Sequence, residues 1–479
     1  MISSTNKYIL LLLAFILIGF NACTDKWEEH QDLTEAVLSE NVLQQIKANP
    51  NLSKFDEYLT STGYADLLQS SKTFTVWAPT NQALANLDQS IINDPATLKS
   101  FVANHISNQR YFTAQPAQRV KMLNGKYLTW GDAKLEGVDV EAGAANRYTA
   151  NGVLHVLTSA IPPKLSIWEF MLSSNTAAKQ VAFLQSLNYD SLDVTQAEIE
   201  RIDPATGQPV YKDGSGITSR NRFLDRVYDI KSEDSLYTFI MLTDAAYDAE
   251  YNEIKPYFNS TPDSTAHLTG FHLIKDLAFK GLIAPENLPD TLISAYNVKV
   301  PIDKNAIVQT YRSSNGIVYV MNKVDFKLKY KIPPIMIEGE NASGFSRTDI
   351  PERIHRRYRT WASNLLDIRV RDHGTASFNI RYRVSNLYST KYKIYWRAVN
   401  DFIATPFDQK LALKNPTATT FPYKTVPPAT DPQNTGEVLI GEYTANRYGY
   451  IDLYLVAANS TNNTLNPLVL DYLKLVPVL

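Results

Sequence analysis

Histidines, a single cysteine and a run of arginines are the side chains of this sequence with the widest chemical reach. The histidines are His30, His105, His155, His267, His272, His355 and His373. No pair has the i, i+4 spacing with an acidic partner that holds zinc; His267 and His272 come nearest, at a spacing of five. Cys23 has no second thiol to pair with, so no intramolecular disulfide forms. No nucleophile elbow, phosphate-cradling glycine loop or His-carboxylate-Ser grouping stands out by spacing. The paired carboxylates Glu28 with Glu29, and Glu338 with Glu340, read as solvated. Catalysis, a metal site and a cofactor are therefore not expected, and the chemistry left is recognition. Six arginines fall between Arg353 and Arg371, in RIHRRYRTW and DIRVRD, and their planar forks suit carboxylates, sulfates or phosphates. Arg356 and Arg357 are the candidates there. Trp361, Tyr358, Trp396, Tyr448 and Tyr450 lie near strand ends or loops, where an aromatic face can stack on a pyranose ring. Tyr392, Ile394 and Trp396 share one strand face, a pattern that also suits a core.

Charge excludes one class of partner. Of 479 residues, 47 are basic and 49 acidic, so no global field draws the chain to nucleic acid. Cys23 follows the chain's one strongly apolar run, Tyr8 to Phe20, which Lys7 precedes and Ala22 closes. About thirteen apolar residues are too few for a transmembrane helix, which needs about twenty. Residues 1–22 resemble a bacterial lipoprotein signal peptide, although Phe20 and Asn21 depart from the usual Leu and small residue of that motif. The resemblance implies acylation of Cys23 and attachment to a membrane. Residues 23–37, which include TDKWEEHQDL, then read as a polar tether, and their acidic residues resemble an export signal to the outer face of the outer membrane. Surface exposure on that membrane is the expected location.

The elements that must position any site begin at Leu38. Val42, Leu43 and Ile46, then Phe55, Leu59 and Leu67, keep a helical period. TFTVW at Thr73 reads as a strand ending at Pro79, and Asp94 before Pro95 as a helix N-cap. The chain then repeats itself. TFTVWAPTNQAL at Thr73 is echoed by LYTFIMLTDAAY at Leu236, LKSFVANHI at Leu98 by LTGFHLIKDL at Leu268, and YTANGVLHVLTSAI at Tyr148 by YRSSNGIVYVMNKV at Tyr311. Spacings agree: Phe74 to His105 is 31 and Phe239 to His272 is 33, while His105 to Asn151 is 46 and His272 to Asn315 is 43. Asn151-Gly152 and Asn315-Gly316 predict tight hairpin turns with φ > 0. Val153, His155 and Leu157, alternating with Leu154, Val156 and Thr158, predict a half-buried strand. His105 and His155 read first as core histidines and second as recognition residues.

TVWAPTNQAL at Thr75, FVANHI at Phe101, LNGKYLT at Leu123 and NGVLHVLTSAIPP at Asn151 resemble the fasciclin-like domain family. The second copy is more divergent, with Thr243, Asp244 and Ala245 at the Pro-Thr-Asn turn and Tyr319 at the strand histidine. The resemblance implies two α+β domains, 38–163 and 164–332, used for adhesion and extracellular binding and not for catalysis. An insertion near 190–234 interrupts the second copy, and its turn-rich ATGQPVYKDGSG reads as a long surface loop.

Pro333 and Pro334 mark the next boundary. Leu366 to Val370, Ala376 to Val384, Tyr392 to Val399, Glu437 to Tyr443, Tyr450 to Ala457 and Val469 to Val476 alternate as strands, which predicts an all-β sandwich over 335–479. IEGENASGF at Ile337 and LVLDYLKLVPV at Leu468 resemble the first and last strands of galactose-binding-type jelly rolls, the scaffold of many carbohydrate-binding modules. The expectation is a multidomain surface lipoprotein, two α+β fasciclin-like domains followed by a jelly-roll-like sandwich, that binds extracellular glycan or matrix polymer. The alternative is an accessory subunit docked on an adhesion complex or a TonB-dependent importer complex.

Overall fold

The computed structural model describes residues 39–479. The signal segment 1–22 and the whole tether 23–37, Cys23 included, lie outside the described residues. The chain is multidomain, with two α+β copies followed by an all-β sandwich. Contacts divide it into two units. One runs through Phe170 and takes in Ile230–Leu236 and Arg312–Gly316; the other holds Met171–Asp229, Tyr237–Tyr311 and Ile317–Leu479.

Copy one is built on a sheet whose order is Ile106–Ser107, Phe74–Pro79, Gly152–Leu157, Arg147–Thr149. The two central strands are parallel, with Phe74 opposite Gly152 and Trp77 opposite His155. Every residue of both is buried. This corrects the half-buried expectation: a parallel pair is covered on both faces. One face packs on the helices Val42–Lys47, Ser53–Ser61 and Pro95–Ala103 through Leu43, Phe55, Leu59 and Phe101. The other meets a second small sheet through Trp77, Val120, Leu128, Trp130 and Leu157. Asp94 caps the helix at Pro95, accepting the Thr97 N–H at 2.9 Å.

The Asn-Gly pairs sit at tight turns, with Thr149 paired to Gly152 across Ala150 and Asn151, and they also tie separate segments together. Asn151 and Gly152 both lack positive φ. Asn151 is buried and accepts the Val42 N–H at 2.9 Å while donating to the Leu68 and Ser70 carbonyls at 2.8 and 3.0 Å. Asn315 repeats the set, accepting from Ile167 N–H at 2.8 Å and donating to the Ile230 and Ser232 carbonyls at 2.9 and 3.0 Å. The asparagine is a bolt that joins a helix start to the end of another segment. Gly152 is needed because a Cβ there would lie 2.0 Å from the Phe74 carbonyl oxygen. A hairpin glycine with positive φ is Gly125, at φ 85, between the paired strands Gln118–Lys121 and Tyr127–Gly131.

Copy two has the sheet order Ala278–Lys280, Tyr237–Leu242, Gly316–Met321, Ile307–Ser313. Thr75 in copy one donates to Gln109 O at 2.6 Å and accepts from Tyr111 N–H; Thr238 donates to Gly281 O at 2.9 Å and accepts from Ile283 N–H. That aligns Phe74 with Tyr237, two residues from the partner that the spacing suggested. The helices start alike, at Pro95 after Asp94 and at Pro262 after Thr261, but run to Ala103 and to Ile274. The longer second helix displaces the next strand along the sequence. The carbonyl that receives Trp77 N–H is that of His105, whereas Ile240 N–H goes to Leu277, so Leu277 and not His272 is the counterpart of His105.

The insertion is not an unstructured loop. Asn188–Leu192 pairs with Ile217–Asn221, and beyond them Ile199–Ile202 pairs with Pro209–Tyr211. Its side chains Leu192, Val194, Ile199, Ile202 and Ile217 are exposed.

The C-terminal part has one sheet ordered Ile335–Glu338, Tyr472–Val478, Lys391–Arg397, Val438–Thr444 and a second ordered Gly344–Phe345, Asn379–Leu387, Gly449–Ala457, Phe407–Leu413, Lys424–Val426. A three-stranded sheet of Ile354–Tyr358, Leu366–Val370 and Leu468–Leu470 completes it. Neighbouring strands are antiparallel, and Tyr382, Leu411, Leu453, Tyr392, Ile394 and Trp396 are buried in the core.

Candidate functional site

The residues singled out in the sequence fall into different places. Tyr358 and Tyr450 are 63% and 68% exposed, and the Arg383 guanidinium lies 4.7 Å from the Tyr450 ring centroid. Arg356 is exposed, its Nε donating to Glu340 O at 2.9 Å. Arg357 faces inward, where Asp367 and Asp401 hold it at 2.5 and 2.6 Å, so its fork is already occupied. Tyr448 packs on Phe258, Tyr388 and His272 at centroid distances of 5.3, 5.9 and 6.1 Å, a joint between elements of one unit. Trp396 is 2% exposed on the core face, as the shared face with Tyr392 and Ile394 allowed.

Trp396 nevertheless borders the feature that organises the sandwich surface. A cleft of about 470 Å³ opens beside it, lined also by Pro427, Pro428, Asp431, Asn434 and Glu437. An Asx turn shapes one wall: Asp431 accepts the Gln433 N–H at 3.0 Å and the Asn434 side-chain amide at 2.6 Å. Glu437 accepts from Tyr472 OH and Lys474 Nζ, both at 2.9 Å, and this pulls its carboxyl below the usual carboxylate range. Arg397 pins the same wall from behind. It donates to Trp361 O at 2.7 Å, Pro432 O at 2.9 Å, Thr435 O at 2.9 Å and Asp471 at 2.5 Å. Burial raises the Asp471 carboxyl to about 6 against the pull of Arg397, which leaves it ionised at neutral pH. Trp361 and Trp396, far apart in sequence, thus serve one wall, Trp361 through its carbonyl and through its ring under Arg397 at 5.2 Å. Sequence reasoning missed Asp431, Asn434 and Glu437; the Pro-Pro and DPQN runs were the signal for this rigid turn. An apolar floor edged by carboxylate and amide groups is what a sugar ring with one C–H face and several hydroxyls requires.

Copy one contains a larger polar cleft of about 710 Å³ lined by Thr80, Gln82, Asp88, Glu141, Thr158 and Ser159, without an aromatic floor. Its histidines are interior. His105 donates from Nδ1 to Phe101 O at 2.9 Å and accepts Ile161 N–H at 3.2 Å; His155 donates from Nε2 to Tyr111 O at 3.0 Å and accepts Asn146 N–H at 3.3 Å. Burial lowers both to about 4, so both are neutral linkers of loop backbone. In copy two Tyr319 OH reaches the equivalent carbonyl, Ile283 O, at 2.7 Å. Among the described residues no three His, Cys, Asp or Glu side chains are grouped as a metal ion requires.

The Fasciclin domain family matches residues 50–163, the stretch that carries the parallel strand pair and the Asn151 bolt. Residues 50–163 are a fasciclin domain. The copy after this fasciclin domain repeats its bolt and its Thr75 bonds. Solved structures similar to parts of the chain include a FAS1 domain pair from the insect cell adhesion molecule Fasciclin I, at 13% identity over 60% of this chain and 100% of that one, TM-score 0.23. A family 35 carbohydrate-binding module from Clostridium thermocellum is 14% identical over 30% of this chain and 98% of its own, TM-score 0.23. The Podospora anserina GH26-CBM35 β-(1,4)-mannanase is 16% identical over 30% of this chain, which spans 28% of that enzyme's length, TM-score 0.23. No curated protein matches the chain.

Proposed function

We propose that this chain is a non-catalytic glycan-capture protein of the cell surface, held at the outer membrane by acylated Cys23. The fasciclin domains act as the outward spacer and adhesion modules, and the terminal sandwich as the recognition module. The observation that carries the reading is the cleft beside Trp396, whose polar wall is fixed before any ligand arrives by the Arg397–Asp471 pair and the Asp431 turn. Preformed walls spare a weak ligand the entropy of ordering loops. Affinity electrophoresis of residues 24–479 in gels holding galactan, mannan or dextran tests it. Retardation by at least one neutral polymer is expected, and Asn434→Ala with Glu437→Ala should weaken it about fivefold or more. Unchanged mobility in every gel, acidic ones included, would rule the reading out.

A second reading, an accessory subunit docked on an adhesion complex or a TonB-dependent importer, is favoured by the arm at 188–221. A two-stranded ribbon with exposed Ile199, Ile202 and Val194 has no cover of its own. A stoichiometric partner in a mild-detergent pull-down, lost on removing the arm, would favour it.

A further inference from the structure

The edge of the sandwich carries a charge pattern that the cleft does not explain. Strands Ile354–Tyr358 and Leu366–Val370 run antiparallel, with His355 opposite Arg369 and Arg357 opposite Asp367. Arg371 N–H donates to Arg353 O at 3.3 Å, which continues the register to an Arg353–Arg371 rung. Residues two apart on a strand share a face, so three rungs stand side by side. The Arg357–Asp367 rung is a buried, compensated ion pair, steadied further by Asp401 at 2.6 Å. The other two rungs hold three guanidiniums and an imidazole, with no carboxylate in either.

Directly opposed like charges destabilise an antiparallel pair, so the Arg353–Arg371 rung is a cost that the sheet carries without internal return, and Arg369 beside it faces an imidazole whose uncharged form is favoured. The strand neighbours offer little. Among the described residues Arg353 pairs with Glu352, at 3.5 Å, and Arg371 with Asp372, at 3.0 Å, all at side chains one-third or more exposed, where ion pairs contribute about 0–1 kcal/mol. Among the described residues no carboxylate lies within ion-pairing distance of Arg369; its guanidinium rests 5.3 Å from the Phe402 ring centroid, and its Nε is buried without a hydrogen-bond partner. Phe402 also carries Arg357, at 5.4 Å. Two guanidiniums therefore lie against one ring. Burial, then Arg369, Arg371, Arg357 and Arg353, keep His355 below its ordinary value.

We infer that the Arg353–Arg371 and His355–Arg369 rungs are an anion subsite that selects acidic glycans, polymers bearing carboxylate or sulfate groups on successive sugars. Forked donors on strand positions spaced about 5 Å across the pair and about 7 Å along it match charges repeated along a chain better than a single small anion. The anionic groups would take up the free donors and remove the like-charge cost. This rests on the proposed glycan capture and names the class of glycan.

Polygalacturonate, dextran sulfate and uncharged dextran in affinity gels, with inorganic tripolyphosphate in calorimetry at low salt, test it. The expected result is stronger retardation by one or both acidic polymers than by dextran, weakening with added salt. Polygalacturonate alone would assign carboxylate, and dextran sulfate alone sulfate. Arg371→Gln, at a surface position, and Arg369→Gln should each reduce acidic retardation and tripolyphosphate affinity about tenfold, leaving neutral retardation unchanged. Circular dichroism of each variant checks the fold, and Arg371→Gln decides if Arg369→Gln unfolds. Acidic polymer bound as tightly by the variants as by the parent, or no preference over dextran, overturns the subsite while the cleft stands. No retardation by any polymer overturns the glycan reading and the selectivity with it.

Discussion

Asn151 and Asn315 show how much one side chain decides in this fold. Each satisfies one backbone N–H and two carbonyls in a buried place. Truncation strands all three, and at about 1 kcal/mol per net bond with a desolvation penalty on top, Asn151→Ala should cost about 3 kcal/mol or more. Asn151→Asp restores only the acceptor and should recover less than half; chemical denaturation measures both. The Asn-Gly signal marked the turn but not its backbone angles at Asn151 and Gly152 or the bolt, because local propensity cannot show that the amide reaches Leu68, eighty-three residues away in sequence. The histidines of copy one set the pH response. His105 and His155 are held near 4 against an unfolded value of 6.5, so the unfolded chain binds protons first as the pH falls. Their contribution is complete above about pH 6.5, is lost between there and about pH 4, and amounts to about 3 kcal/mol each. Trp77 and Trp130 lie 5.7 and 4.7 Å from the His155 ring, so tryptophan fluorescence reports on this core. Urea midpoints should fall through that window, and His155→Gln should flatten the slope; parallel slopes would refute the assignment.

At the scale of elements, strands with clear alternation were legible and short or buried ones were not. Leu366–Val370 has the predicted bounds and Gly449–Ala457 begins one residue earlier, whereas Phe407–Leu413 and Lys424–Val426 were missed. Phe407–Leu413 is buried at six of seven positions and has no alternation to read. Missing it hid the cleft, since the wall from Pro427 onward comes directly after Lys424–Val426. The insertion gave its turns but not its pairing. Leu192 lies opposite Ile217, and Asp193 N–H donates to Gly216 O at 2.8 Å, with Gly216 already at φ 64. Removing residues 194–215 therefore joins Asp193 to Gly216 as a two-residue Asp-Gly turn, a favoured hairpin connection. The shortened protein should keep its melting temperature within about 2 °C, because the deleted hairpin adds no buried core. Gly152→Ala, a single methyl against the Phe74 carbonyl, should by contrast lower stability by about 3 kcal/mol.

Over the whole molecule the repeat was legible because the order of three segments survives divergence, while residue correspondence was not. A second helix four residues longer, ending at Ile274, puts His272 where the spacing sought a partner for His105 and Leu277 where the backbone places one. Packing preserves backbone bonds, and sequence spacing absorbs insertions. The same logic separates recognition from attachment. Among the described residues no helix is long and apolar enough to cross a membrane, and the proposed anchor rests on Cys23. One acyl chain binds a membrane reversibly, and two or more hold it firmly, since each buried CH₂ contributes about 0.8 kcal/mol. With a single thiol in the chain, every thioether-linked acyl group must sit at that position. Cys23→Ala should leave the protein folded, with the same cleft and arginine rungs, yet move it from the membrane pellet to the soluble fraction and abolish palmitate labelling. Glycan retardation of the released protein should equal that of residues 24–479. If the variant stays in the pellet and keeps the label, the attachment lies elsewhere and the placement on the outer membrane loses its support.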